Sequence, residues 1–193
     1  MALSRREFLG GLALSPSLSW LGGLSSPNNA HAQNTINGAF NMAAFTPPFP
    51  APTISAHDLE GKPRRIGPHQ NKTFVLVNFW ATWCPPCVRE LPSLEQAMTK
   101  LGRDRFIVLA ISVDKARDLH KIEKFRDKYA LTFPIIHDQE SATAKVYGVH
   151  QFPSTFLVAP DGNVVAAAKG ERDWHTEPAI KYFSEVMNRY GQS

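Results

Sequence analysis

Asn78-Phe-Trp-Ala-Thr-Trp-Cys-Pro-Pro-Cys-Val-Arg-Glu-Leu-Pro92 is the stretch from which the fold can be read. Phe74-Val-Leu-Val77 runs into it, apolar without a break, as in a strand covered on both faces. Beyond it, Val88, Leu91, Leu94, Met98 and Leu101 recur three and four residues apart, the spacing of a helix. The period changes from strand to helix at Cys84-Pro-Pro-Cys87, and these are the 2 cysteines of the whole chain.

Cysteines at that junction suit thiol–disulfide exchange. The attacking species is a thiolate, and a cysteine just ahead of a helix is favoured by free backbone N–H groups and the helix dipole. Cys84 takes that place before a helix predicted to start near Pro86, so we read it as the nucleophile. Cys87, in the first turn, reads as the resolving thiol. A loop this short makes a poor structural staple. Half a zinc site is the competing reading, but zinc wants about four ligands, and no second Cys pair or nearby His exists in the sequence. Pro85 and Pro86 have no N–H to donate. Thiolate stabilisation is then mild, which predicts a reducing couple nearer about −270 mV than about −120 mV. No cofactor and no metal is expected.

The remaining sequence frames this site. A chain of 193 residues suits one domain. The formal charge of +4 is dispersed, without runs of Lys or Arg, which gives no footing for nucleic-acid binding. Ser4-Arg-Arg-Glu-Phe-Leu9 resembles a twin-arginine export signal, and Leu9 to Leu24 is too short and interrupted to read as a membrane span. Ala30-His-Ala32 has the form of a cleavage site. Residues 1–32 are therefore expected to be a signal, residues 33–50 a Pro-rich linker, and residues 51–193 the domain, in the periplasm or otherwise exported. Contact with a membrane would come only through an uncleaved signal.

Two short strands around Glu60-Gly-Lys62 predict an N-terminal β-hairpin. Phe106–Val113 reads as a second buried strand, Asp114–Tyr129 as a helix, Phe133–His137 as a short strand and Ser141–Tyr147 as a short helix. Pro160-Asp-Gly-Asn163 is a hairpin turn between Thr155–Val158 and Val164–Ala168, and Glu177–Tyr190 a last amphipathic helix. Together these predict an α/β fold with a central mixed sheet flanked by helices.

Trp83-Cys-Pro-Pro-Cys87, Pro92 and Gly148-Val-His-Gln-Phe-Pro153-Ser-Thr-Phe-Leu-Val together resemble the thioredoxin superfamily. The run from Val77 to Pro92 is similar to that of the exported TlpA/ResA-like thiol–disulfide oxidoreductases. The resemblance implies a thioredoxin-like fold with an inserted strand–helix element at residues 114–137. It implies that Pro153 is a cis-proline opposite Cys84 and that the Phe152 backbone pairs with an extended substrate segment. Asn78 stands where thioredoxin has a buried Asp. Glu90 matches the subfamily's active-site glutamate, on the helix face of Cys87, where partial burial would raise its pKa and let it take the Cys87 proton. A solvated first-turn carboxylate is the alternative for Glu90. Trp83, Pro85 and Pro86 join Phe152 and Pro153 as the expected substrate contact, whereas Trp80 fits the core as well as the site. His150 is the one histidine placed near the site.

The function implied is an exported reductase of specific protein disulfides, of the cytochrome c or copper-centre maturation type. Its partners would be a disulfide-bearing protein substrate and a membrane thiol electron donor of the DsbD/CcdA type. A copper-binding metallochaperone of the same fold is the alternative, but such carriers space their cysteines one residue wider. A thiol peroxidase is a third reading, but Ala81 stands where peroxiredoxins place a Thr.

Overall fold

The computed structural model describes residues 40, 42–67 and 73–190. The expected signal, its cleavage site, residues 33–39 and 41 of the expected linker and His69 lie outside the described residues. Eight strands are described: β1 Ala43–Pro50, β2 Ile54–His57, β3 Pro63–Ile66, β4 Phe74–Trp80, β5 Phe106–Ser112, β6 Ile135–His137, β7 Ser154–Val158 and β8 Asn163–Lys169. The helices are α1 Pro85–Leu101, α2 Leu119–Lys128, α3 Ala142–Val146 and α4 Glu177–Tyr190, with a single 3₁₀ turn at Ala116–Asp118.

Six strands form one sheet in the order β1-β8-β7-β4-β5-β6, and β2 and β3 form the separate N-terminal hairpin. β4 lies at the centre, parallel to β5 and antiparallel to β7, so the sheet is mixed. Every residue of β4 is buried, which explains why its sequence shows no alternation. Its two faces still differ. Phe79 meets Tyr147 and Phe156 on one side. On the other, Asn78 faces α1 and Phe74 meets Tyr190 of α4.

Two expectations need correction. The helix expected over Asp114–Tyr129 begins only at Leu119, because Asp114 is engaged elsewhere and the 3₁₀ turn intervenes. More important, the part of the expected linker that is described is folded. Ala43 and Ala44 pair with Ala167 and Ala166, and Phe49 and Pro50 with Val164 and Asn163. The register shifts between Ala44 and Phe49, around Pro47 and Pro48. An edge strand bonds on one side only, so it tolerates prolines that a central strand would not. Phe40 and Met42, just before it, are buried, and Phe40 packs on Trp174, Tyr182 and Phe183. The folded unit thus reaches back from residue 51 to Phe40.

Candidate active site

The site forms where β4 ends and α1 begins. Cys84 is the N-cap of α1, with extended backbone (φ −101°, ψ 98°), and Pro85 and Pro86 occupy the first two helical positions. Prolines fit there because the first N–H groups of a helix have no intrahelical acceptor. Val88 N–H already bonds the Cys84 carbonyl at 3.1 Å, so the Cys87 amide is the one donor left at the helix head. Cys84 and Cys87 are joined in a disulfide. Cys84 is 5% exposed and Cys87 is completely buried, so an incoming group can reach only the first sulfur.

Glu90 lies one turn beyond Cys87 and is 1% exposed, which removes the solvated alternative. Asn78 Nδ2 donates to Glu90 Oε1 at 2.7 Å and to Thr155 Oγ1 at 2.9 Å. The Arg172 backbone N–H donates to Glu90 Oε2 at 3.0 Å. Burial pushes the Glu90 carboxyl up from its ordinary 4.5 to about 7, against the opposing pull of Asn78, the Arg172 amide, Trp174 and the Arg172 charge. The Trp174 indole N–H contributes to that pull without completing a hydrogen bond. Asn78, unable to take a proton itself, thus serves as a donor to the group on α1 that can.

The Phe152–Pro153 peptide is cis. The ring of Phe152, half-buried, receives Trp83 edge-on at 5.9 Å between centroids. Trp83 is 61% exposed, whereas Trp80 is fully buried against Phe125 and belongs to the core. Pro85 is exposed and Pro86 half-buried. The structure therefore gathers Cys84, Cys87 and Glu90 on one helix head, with Trp83 joining them to the Phe152-Pro153 loop. His150, placed near the site by the sequence, is exposed.

Sequence reasoning missed the loop after β8. Gly170 N–H bonds the Pro153 carbonyl, Arg172 N–H bonds Glu90, and Trp174 N–H bonds Ser93 Oγ. This loop ties the cis-proline segment to α1. Outside it, Arg89 forms an ion pair with Glu171 at the surface. The loop's hydrogen bonds to Pro153, Glu90 and Ser93 are donated by backbone amides, which leave no signature in residue type.

The mixed sheet, the helix-capping Cys-x-x-Cys disulfide and the cis-proline beside it define a thioredoxin-like domain. The chain belongs to the AhpC/TSA family, whose model matches residues 49–167. It is 36% identical over 114 residues to the thiol-disulfide oxidoreductase ResA of Geobacillus thermodenitrificans (strain NG80-2), an alignment spanning 59% of this chain and 64% of that one. The chain thus spans a little under two thirds of the length of that relative. Against ResA of Bacillus thuringiensis subsp. konkukian (strain 97-27) identity is 34% over 122 residues, 63% of this chain and 69% of the other. A crystal structure assigned as the thiol:disulfide interchange protein DsbE from Chlorobium tepidum superposes with a TM-score of 0.63 at 24% identity, covering 72% of this chain and 96% of that one.

Proposed function

We propose that this protein is a thiol–disulfide oxidoreductase that reduces disulfides in specific protein substrates. One observation carries the reading: the Cys84–Cys87 disulfide caps a helix with only the Cys84 sulfur reachable, and a buried carboxyl of raised pKa lies one turn below. In the dithiol state, the Cys84 thiolate attacks one sulfur of the substrate disulfide. The new S–S bond joins Cys84 to the substrate, and the displaced sulfur leaves as thiolate. Glu90 takes the Cys87 proton. The Cys87 thiolate then attacks Cys84, re-forms the Cys84–Cys87 bond and releases the second substrate thiolate. Two electrons pass to the substrate, its two thiolates take their protons from Glu90 and from solvent, and a thiol donor must return the enzyme to the dithiol.

The missing donors at Pro85 and Pro86 support a reducing couple. The exposed Trp83 edge beside Phe152-Pro153 supports recognition of an extended protein segment rather than a free small disulfide. Resemblance to the TlpA/ResA-like group supports an exported location, substrates of the cytochrome c or copper-centre maturation type, and a membrane donor of the DsbD/CcdA type. Cys87→Ala tests the reading: it should accumulate mixed disulfides on Cys84 in intact cells. Absence of such adducts, or a measured potential above roughly −150 mV, would defeat the reductase assignment.

A further inference from the structure

Asp114 is fully buried, and the exchange chemistry above makes no use of it. It follows β5 directly and its carboxylate reaches across 32 residues to the turn before Cys84. Asp114 Oδ2 accepts the Thr82 backbone N–H at 2.9 Å, and Oδ1 accepts the Thr82 hydroxyl at 2.6 Å. Ser112 Oγ donates to Oδ2 at 2.7 Å and itself accepts the Asp114 N–H at 3.1 Å. The Asp114 carbonyl accepts His137 Nε2–H at 2.8 Å, which fixes the residue from β6 as well. All three donors to the carboxylate are neutral. A buried carboxylate with no charged donor is costly to keep, and here two of its three hydrogen bonds come from Thr82, in one turn, with Ser112 supplying the third.

That turn is Ala81-Thr82-Trp83. Its other tie is the Cys84 N–H to the Ala81 carbonyl, at 3.1 Å. Trp83 projects into solvent and touches the described structure through the Phe152 edge. Without Asp114, the side-chain and backbone donors of Thr82 lose their acceptor, and between Ala81 and Trp83 the turn keeps the Ala81 carbonyl bond from Cys84 N–H and the Trp83 ring contact with Phe152.

We propose that Asp114 is a positioning residue for exchange with protein disulfides, fixing the Thr82 turn so that Trp83 and Cys84 present one preset docking surface. This rests on the reading of Cys84 as the attacking sulfur. Asparagine suits the test because it can retain the geometry without the charge: its oxygen accepts Thr82 N–H and Ser112 O–H, while its amide donates to Thr82 Oγ1. Alanine removes both.

The experiment compares wild type, Asp114→Asn, Asp114→Ala and Thr82→Ala, each reduced and held well below its melting transition. Reaction rates are measured with insulin as a protein disulfide and with a small aromatic disulfide. Hydrogen exchange at the Thr82 amide reports the clamp directly. Asp114→Ala should lower the insulin rate about tenfold or more, leave the small-disulfide rate within about twofold, and deprotect the Thr82 amide. Asp114→Asn should restore the insulin rate to within about threefold of wild type. Thr82→Ala keeps the backbone N–H bond to Asp114 and loses the hydroxyl bond, and its insulin rate should fall between them. An unchanged insulin rate in both Asp114→Ala and Thr82→Ala would overturn the proposal. So would a loss in Asp114→Asn as large as in Asp114→Ala, since charge and not position would then be responsible. If wild type itself fails to reduce either disulfide, it is the functional reading that falls.

Discussion

Replacing Glu90 by Gln should make the protein more tolerant of high pH and less able to turn over. In the folded state the carboxyl is raised from 4.5 to about 7, chiefly by burial. A folded pKa above the unfolded one means that the native state holds the proton more tightly. The associated stability is fully present below about pH 4.5 and is lost as pH rises through 7. At 1.36 kcal/mol per pH unit the whole effect is roughly 3 kcal/mol, of which about 2 to 3 kcal/mol falls between pH 5 and pH 8. Gln cannot ionise, so that loss should disappear. A fixed cost replaces it: Gln offers one oxygen to the two donors Asn78 Nδ2 and Arg172 N–H, leaving one facing an amide N–H at about 1–3 kcal/mol.

The assay is urea denaturation of the oxidised proteins at intervals from pH 5 to pH 8, where the disulfide-bonded cysteines do not titrate. Because the fixed cost cancels, the informative quantity is the difference in pH slope between variant and wild type. Wild type should lose about 2 to 3 kcal/mol more than Glu90→Gln across that range. In the reduced state the same variant should slow the second, resolving step of exchange and leave the first attack unchanged. Parallel stability profiles together with unaltered resolution would refute a buried Glu90 acting on Cys87.

Other outcomes follow from the same geometry. Phe40→Ala should destabilise the fold by roughly 2–4 kcal/mol in chemical denaturation, because Phe40 is buried among Trp174, Tyr182 and Phe183; a neutral result would return this segment to the status of a linker. Trp83→Ala should leave the melting temperature unchanged, since the ring is 61% exposed, yet weaken reaction with protein disulfides and spare small ones. Pro86→Ala adds one N–H at the head of α1 and should lower the Cys84 thiol pKa and raise the couple's potential. A tenfold change in the equilibrium with glutathione would be about 30 mV, and a shift toward more reducing values would contradict the role given to the prolines.

The centre of the fold was legible because each of its signals is local. Continuous apolar residues in β4, three-and-four spacing in α1 and the turn at Asp161-Gly162 each depend on neighbours in sequence. Cys84 and Cys87 were placed at the helix head by the same local signals, whereas Glu90 was singled out by resemblance together with its three-residue spacing from Cys87. The thioredoxin-like sheet was reached by resemblance, since β4 pairs with β7 across more than seventy residues and no periodicity announces it. What escaped was non-local or carried by backbone. Residues 43–50 are rich in proline and look like a spacer; they become a strand because β8 offers a free edge. Arg172 enters the site through its amide, so its side-chain chemistry says nothing of its place. Asp114 offers the one overlooked cue, an acid closing the buried run from Val108 to Val113, where an acceptor is retained only if donors surround it.

In the proposed mechanism, the raised pKa of Glu90 suits it to serve Cys87 rather than Cys84. An ordinary Cys thiol titrates near about 8.5. A carboxylate at its ordinary 4.5 would take that proton against a gap of about four pH units, roughly 5 kcal/mol. At about 7 the gap shrinks to about 1.5 units, roughly 2 kcal/mol, a gain of about 300-fold in the population of Cys87 thiolate with protonated Glu90. Cys84 has less need of this help. It caps the helix, where the dipole and the Cys87 amide favour its thiolate. Cys87 is wholly buried, and burial penalises its thiolate. Glu90 and Cys87 are both buried, so in the proposed mechanism one apolar environment creates the need for a base and raises the carboxyl toward the range in which it can act as one.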